Sequence, residues 1–376
     1  LMTGKFPATF QKYPSSFGFG DRVTITELLK KSGYATGHFG KWHIGSVMEP
    51  GTYGIDVIGA EEKERGKRKQ PTSGRGRDAP MYDQAIAFIE KHQAQPFFLY
   101  VPHVMPHVPI FASEKWRGKS GAGLYADVVQ ELDDSVGQIV DAVSRCGLSQ
   151  DTLIVFFSDN GPFLSYGNHA GSAKPLREGK LTSFEGGVRV PCLAWWPKTI
   201  PAGRVDATPW SALDLMPTVA ALAQVKAPEV DGIDITDVLK GPSTRDEPRM
   251  LFHYFGAQLQ AVREGRWKLF LPIEEFPKTR VPSLWFEHQP GLFERQHRLW
   301  PQVTLYDLLD DVSEKHDVAA QHPEVVAAML KKAQAFDESF QKQIPAVNYL
   351  PGPKPPAAGQ VRTAADNIEE WLKLAR

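Results

Sequence analysis

Cysteine, net charge and long apolar runs are all scarce in this chain of 376 residues. The two cysteines, Cys146 and Cys192, exclude a disulfide scaffold but do not decide the compartment. A formal net charge of -1 provides no global field for nucleic acid, so local charges have to hold any anionic ligand. No apolar run is long enough to predict a membrane span, and no signal peptide is visible at the start.

What is present is enough apolar sequence for a large core, in a pattern that alternates helix and strand. Hydrophobic residues make up 42% of the chain, and the first two thirds resemble βαβ units with a mainly parallel central sheet flanked by helices, an α/β fold. The continuous apolar run 97–101 predicts a strand buried on both faces. Apolar residues spaced by three and four between Leu124 and Val143 predict a long amphipathic helix. A further helix over 211–225 is expected to be interrupted near Pro217.

After about Pro242 the pattern changes to short apolar segments followed by a helix over 323–343. This order predicts a smaller antiparallel sheet with one helix packed on it. We therefore expect a main α/β domain over 1–245, an α+β subdomain over 246–344, and an extended tail with a short terminal helix over 345–376.

The most informative stretch is GYATGHFGKWHIG, residues 33–45. Thr24 and Glu27 fit a capping box, and Gly33 is placed to end the helix that follows it. A short strand over 34–39 would then be broken by Gly40, which leaves Lys41 and His43 at its carboxyl end, where open α/β sheets bind ligands. A cation and a proton carrier there indicate an anion site, although an ordinary surface loop would look the same.

Two more predicted strands end in polar groups. Strand 152–157 runs into SDNGP, where the oxygens of Asp159 and Asn160 suit a hard cation or, alternatively, cap their own turn. Strand 97–101 runs into PHVMPHVP, where prolines hold His103 and His107. A positioned imidazole can protonate a leaving oxygen near neutral pH, whereas a loop histidine can also be a surface or hydrogen-bonding residue.

A fourth segment, REGKLTSFEGGVRVP over 177–191, carries Lys180 between glycines that free the backbone. Lys180 would be a second point charge for a tetrahedral oxyanion. Its charged neighbours are expected to pair around the loop instead of reacting; they are Arg177, Glu178, Glu185 and Arg189. Because the ends of parallel strands meet at one edge, we expect these groups to converge on hydrolysis of an anionic ester.

Two other regions have open interpretations. The basic run over 61–78 is a solvated loop or a rim that attracts an acidic polymer. The loop over 272–302 contributes either to a pocket or to packing and surface. Its ring-bearing residues are Trp285, His288, His297 and Trp300.

In the order and spacing of these motifs the chain resembles type I sulfatases, the arylsulfatase-like branch of the alkaline phosphatase superfamily. LQAVREGRWKLF and LYDLLDDVSEKHDVA resemble the family's C-terminal subdomain. The resemblance implies that Lys41 and Lys180 hold the sulfate oxygens, with His103 at the substrate, and that His107 protonates the departing alcohol. It further implies that His43 assists breakdown of the sulfated intermediate and that Asp159 and Asn160 bind Ca²⁺, with Mg²⁺ as the alternative.

One departure from the family pattern stands at the N-terminus. The family's nucleophile is a formylglycine made from Cys or Ser in a Cys/Ser-x-Pro-Ser-Arg motif, and this sequence has no such motif. Residues 1–4, LMTG, resemble the end of the family's nucleophile helix, so the chain looks cut just downstream of it. We expect the formylglycine, the first strand and part of the metal site to lie in a missing N-terminal segment. The chain itself is then inactive, although the complete protein is a sulfatase.

The expected substrate is a sulfated glycan or a small aryl sulfate, and family members are typically periplasmic or secreted. A phosphate or phosphonate monoester hydrolase of the same superfamily would use the same lysines, histidines and metal. A protein of another class, a non-catalytic binder of sulfated glycans, would have lost the nucleophile in evolution.

Overall fold

The computed structural model describes residues 1–10, 18–44, 49–59, 78–241, 248–273 and 301–345. They fall into two compact units, the first drawn from 1–6, 13–156 and 193–244 and the second from 7–12, 157–192 and 245–376. The predicted boundaries 1–245 and 246–344 remain a prediction. Nearly all of the basic run 61–78, most of the loop 272–302 with its four ring-bearing residues, and the tail beyond residue 345 lie outside the described residues.

Helices and strands alternate along the first part of the chain, as predicted. The helices are α1 (Ile25–Lys31), α2 (Ala79–Lys91), α3 (Leu124–Arg145), α4 (Glu185–Val188), α5 (Leu215–Leu222), α6 (Thr236–Lys240) and α7 (Pro323–Gln341). The strands are β1 (Ala35–His38), β2 (Val57–Ile58), β3 (Phe97–Tyr100), β4 (Ile154–Phe157), β5 (Cys192–Trp195), β6 (Met250–Phe255), β7 (Gln258–Glu264), β8 (Trp267–Phe270) and β9 (Thr304–Asp307).

Residues close in sequence define both ends of α1, the helix that precedes β1. The backbone N–H of Glu27 donates to Thr24 Oγ1 at 3.2 Å, and that of Thr24 donates to Glu27 Oε2 at 2.8 Å, which is the predicted capping box. Gly33 has a φ of 87°, a left-handed conformation that suits glycine and ends the helix. Both ends of α1 are therefore set by residues within one turn of it.

The first unit holds a parallel sheet in the order β2-β1-β3, with His38 opposite Tyr100. Its hydrophobic core joins Ala35 and Phe39 to Met81, Ala85 and Phe88 of α2. The expectation that β3 is buried on both faces was wrong, because all four of its residues are only partly buried. Among the described strands β3 pairs with β1 alone, so its other edge carries no strand that would complete its burial.

Strands β4 and β5 form a separate two-stranded sheet. Pro191 lies just before β5, outside the strand, where its missing N–H removes no hydrogen bond of the sheet. The interruption expected near Pro217 was wrong: α5 runs unbroken across this proline, and the change of helix type lies earlier, at the short 3₁₀ turn Ala212–Asp214. Pro217 then lies in the first turn of α5, where the missing N–H costs no intrahelical hydrogen bond.

The second unit contains an antiparallel sheet in the order β6-β7-β8-β9 with α7 packed on it, as predicted. The core between sheet and helix is formed by Val262, Leu269 and Leu305 against Met329 and Ala333. These side chains expose at most 2% of their surface, so burial of the apolar face of α7 stabilises the sheet. Across the described residues, no helix has the length and hydropathy of a membrane span.

Candidate active site

In the first unit, a hydrogen bond joins the loop after β1 to the loop after β3. The backbone N–H of Lys41 donates to the carbonyl oxygen of Pro102 at 2.9 Å, and Phe39 N–H donates to Tyr100 O at 3.0 Å. Gly40 has a φ of 132°, and a Cβ there would lie 2.2 Å from the Pro102 oxygen. Glycine is therefore required between strand and lysine, and the segment of Lys41 and His43 runs beside the loop of His103 and His107.

An aromatic cluster anchors the Lys41–His43 segment from behind. The ring of Trp42 packs edge-on against His38, with centroids 5.1 Å apart, and lies 6.0 Å from Tyr53. His38 is 2% exposed, and burial lowers the pKa of its imidazole to about 4. Trp42 and His38 are thus packing residues, while Lys41 is half-buried and His43 is exposed.

A buried carboxylate holds the histidine loop in place. Asp78 Oδ2 accepts hydrogen bonds from the backbone N–H groups of Val104 and Met105, both at 3.0 Å. Asp78 precedes α2 but makes no capping hydrogen bond to it, so its side chain serves the loop. Sequence reasoning missed this residue, because it stands at the end of the basic run. The only available signal was an aspartate directly before Ala-Pro at a helix start.

His107 is exposed, and its loop defines which ring nitrogen can exchange a proton. Nδ1 lies 2.7 Å from the carbonyl oxygen of Val108, and because a carbonyl only accepts, Nδ1 carries the hydrogen of that bond. This leaves Nε2 as the ring nitrogen at which a proton can be exchanged. The backbone N–H of His107 also donates to Val104 O at 3.0 Å, within the stretch that Asp78 holds.

His103 lies deeper than His107 and has a protein partner. Its Nδ1 is 2.6 Å from the hydroxyl of Tyr82, and the two rings are 5.3 Å apart. Burial lowers the pKa of His103 to about 4, so the ring is neutral near pH 7. Burial likewise raises the pKa of the Tyr82 hydroxyl. A neutral ring fixed by Tyr82 can donate or accept a hydrogen bond but carries no charge for a sulfate.

In the second unit, the SDNGP turn and the Lys180 loop interlock through their backbones. Lys180 N–H donates to Pro162 O at 2.9 Å, and Gly161 N–H donates to Gly187 O at 3.1 Å. A Cβ on Gly161 would lie 1.7 Å from the Gly186 oxygen, and one on Gly179 would lie 2.2 Å from the Pro162 oxygen. Only glycine permits these approaches, so the turn and the loop are one structure.

The backbone contact holds the segment of Lys180 against the turn that carries two oxygen-bearing side chains. Lys180 is half-buried, with Nζ 5.6 Å from the centroid of the Phe163 ring, while Asp159 is exposed and Asn160 is half-buried. Ser158 Oγ donates to the backbone oxygen of Asn160 at 2.8 Å, which fixes the turn. Carboxylate and amide oxygens suit Ca²⁺ or Mg²⁺, but they are a minority of the ligands such an ion needs. In the part of the chain described, no group of three or more His, Cys, Asp or Glu could hold a metal.

Of the charged residues around the Lys180 loop, Glu185 and Arg189 pair with each other, as expected, but the main partners of Glu185 come from far along the chain. Glu185 Oε1 accepts from Lys268 Nζ at 2.9 Å, and Glu185 Oε2 accepts from Arg263 Nη1 at 2.8 Å. Arg189 is 3.9 Å from the same carboxylate. Burial alone would raise the pKa of Glu185, yet the charges of Lys268 and Arg263 hold it below its usual range.

Comparisons with known proteins agree on one family. The family model described as Sulfatase matches residues 1–225, and the model described as C-terminal region of aryl-sulfatase matches residues 246–358. The chain is 36% identical over 279 residues to N-acetylgalactosamine-6-sulfatase of Canis lupus familiaris, covering 65% of this chain and 53% of that protein. It is 30% identical over 415 residues to arylsulfatase A of Bos taurus, covering 91% of this chain and 80% of that protein. The chain spans about half the length of several curated relatives it matches, namely 53%, 54% and 46%.

Solved structures show the same fold. Ps i-CgsB, crystallised in complex with k-i-k-neocarrahexaose, superposes with a TM-score of 0.69 at 27% identity, covering 89% of this chain and 80% of that one. PsFucS1 sulfatase from Pseudoalteromonas sp. gives a TM-score of 0.75 at 23% identity, covering 92% and 80%, a likeness in fold alone.

Proposed function

The chain belongs to the sulfatase family, and on this basis we propose that it is part of a sulfuric ester hydrolase. The observation that carries the proposal is the hydrogen bond from Lys180 N–H to Pro162 O, which makes the lysine loop and the Asp159–Asn160 turn a single structure. A lysine loop held against a turn with hard oxygen donors suits an anionic ester. The matching cation of the first unit, Lys41, is fixed beside the His107 loop in the same way.

In the first unit the proposed roles are those that the family resemblance implies, and the hydrogen bonds support them. His107 is the general acid, and Nε2 gives its proton to the departing alcohol oxygen because Nδ1 is held by Val108. Lys41 binds a sulfate oxygen as a point charge. His43, exposed two residues later, would assist turnover when the family's formylglycine is present. His103 contacts the substrate through a neutral ring, since Tyr82 and burial keep it uncharged.

In the second unit Lys180 binds a sulfate oxygen, and Asp159 and Asn160 contribute oxygens to a Ca²⁺ or Mg²⁺ ion. Such an ion, when bound, supplies positive charge that stabilises the developing oxyanion. The family's formylglycine supplies the nucleophile, and none of the 376 residues lies in a motif that would form one. The proposal therefore includes that these residues by themselves do not turn over substrate and that a further segment provides the nucleophile.

The proposed substrate is a sulfated carbohydrate, with small aryl sulfates as artificial substrates. Support comes from the relatives, one of which is named N-acetylgalactosamine-6-sulfatase and another of which was crystallised with k-i-k-neocarrahexaose. We further propose a periplasmic or secreted location by analogy with the family. No membrane or nucleic-acid partner is part of the proposal.

The test compares the 376-residue chain with a version completed by a formylglycine-bearing N-terminal segment of a relative, each assayed on 4-nitrophenyl sulfate and 4-nitrophenyl phosphate. We expect turnover of the sulfate by the completed protein only, and loss of that turnover in its Lys180→Ala variant. Sulfatase activity of the unextended chain would refute the inactivity. Faster turnover of the phosphate would instead assign a phosphomonoesterase.

A further inference from the structure

We propose that Lys268, a buried lysine of β8, is a positioning residue for Lys180, acting through Glu185 and Glu314. The inference rests on the proposed function, in which Lys180 binds the sulfate. Lys268 is far from Lys180 in sequence and lies in the sheet of the second unit, with no exposed side-chain surface. Its two carboxylate partners connect it to the base of the Lys180 loop.

The Lys180 loop is closed at its base by a backbone hydrogen bond. Gly186 N–H donates to Arg177 O at 2.8 Å, so residues 177 and 186 meet while the lysine lies between them. Two non-glycine residues of the loop, Glu178 and Leu181, adopt left-handed φ angles of 63° and 73°. Such angles are costly for residues with a Cβ, so the surrounding contacts have to maintain them.

Glu314, in the stretch between β9 and α7, contacts both ends of the loop base. Its Oε2 accepts from the backbone N–H of Glu185 at 2.7 Å, and its backbone oxygen accepts from the guanidinium of Arg177. Lys268 Nζ lies 3.3 Å from Glu314 Oε1 and 2.9 Å from Glu185 Oε1. Lys268 therefore contacts both Glu314, which holds the loop base, and Glu185, which belongs to the loop.

Burial of Lys268, Glu185 and Glu314 explains how the lysine can fix the position of both carboxylates. Side-chain exposure is 0% for Lys268 and Glu314 and 1% for Glu185. A buried charge is tolerated only where its partners are kept close, so the ammonium forces both carboxylates into one geometry. Burying ions is a poor route to stability compared with apolar packing, which favours a positional role for the cluster. The second cation on Glu185, Arg263, completes the neutralisation.

The test uses the 376-residue chain and inorganic sulfate, titrated by calorimetry with chloride holding the ionic strength constant. We expect Lys268→Met to raise the sulfate Kd about tenfold, and Lys180→Ala to raise it at least as much. In Lys268→Met, amide hydrogen exchange at Glu185 and Gly186 should accelerate, because these N–H groups make the base contacts.

The matched control is Met329→Ala, a cavity substitution in the same sheet core, which destabilises the unit without touching the loop base. Its sulfate Kd should equal that of the unsubstituted chain. If Lys268→Met does not fold, Arg177→Met decides, since it removes one contact of a half-buried side chain with Glu314. A folded Lys268→Met or Arg177→Met with unchanged Kd and exchange rates overturns the positioning role. If Lys180→Ala leaves the sulfate Kd unchanged, the proposed function is refuted as well.

Discussion

The backbone N–H of Lys180 and the carbonyl oxygen of Pro162 are 2.9 Å apart, which ties a loop cation to the turn that carries Asp159 and Asn160. The contact needs glycine at both neighbouring positions, Gly161 and Gly179, because a Cβ at either would overlap a backbone oxygen. The proposed function of this unit thus depends on two glycines, which take no part in the chemistry themselves.

Replacing Gly161 by alanine should break this contact. The added Cβ would lie 1.7 Å from the Gly186 oxygen, so the backbone has to move at a cost of about 3 kcal/mol or more. Urea unfolding measures the loss. The control is Gly137→Ala in α3, where nothing lies within 4 Å of the new Cβ and a gain of about 0.5–1 kcal/mol is expected. Equal effects of the two variants would contradict the steric explanation.

Removing the Asp78 carboxylate should loosen the His107 loop. Asp78→Ala leaves the N–H groups of Val104 and Met105 without their acceptor, at a cost of about 2–3 kcal/mol. Asp78→Asn retains one acceptor oxygen and should cost less. Thermal unfolding and amide exchange of the loop are the measurements, with the exposed Asp133 of α3 as the site of a control alanine substitution. Wild-type exchange in Asp78→Ala would show that other contacts hold the loop.

Buried histidines should make the chain sensitive to acid. The pKa of His103 falls to about 4 in the folded state from 6.5, so between these values the unfolded chain binds the extra proton. The free energy of unfolding therefore decreases as the pH is lowered through that window, by up to about 1.4 kcal/mol per pH unit for one such group. His103→Gln should reduce the slope measured by urea unfolding at several pH values.

A matched substitution checks the assignment of that slope. The pKa of His38 is also lowered to about 4 by burial, so His38→Gln should reduce the slope by a similar amount. A slope that neither variant changes would mean that these imidazoles titrate alike in the folded and unfolded states.

Calcium should stabilise the chain weakly and through Asp159. Two protein ligands are few for an ion that prefers about 6–8 oxygens, so we expect a Kd of about 1 mM or weaker. At 10-fold excess over such a Kd the stabilisation is about 1.4 kcal/mol, visible as a rise in melting temperature. Asp159→Asn should abolish the rise, while Asp151→Asn, at an exposed carboxylate paired with Lys198, should not. Saturation at micromolar Ca²⁺ would contradict the two-ligand site.

Features that depend on residues close in sequence could be predicted well. The capping box of Thr24 and Glu27 and the left-handed Gly33 both follow from signals within a few residues. The strand ends that carry Lys41, His107 and Asp159 follow from the same local punctuation. The partial burial of β3 was not predicted, because burial depends on which strands pair with it.

The sequence by itself determined the alternating α/β order, the antiparallel C-terminal sheet and the candidate residues, because periodicity and turn residues act over short distances. Only the tertiary structure decided that Asp78 holds a loop 26 residues away and that Glu314 holds one 129 residues away. Only it showed that Lys268 is buried between two glutamates. From sequence alone a charged residue is predicted to be exposed. Its burial becomes favourable only when distant parts of the chain bring compensating charges to it.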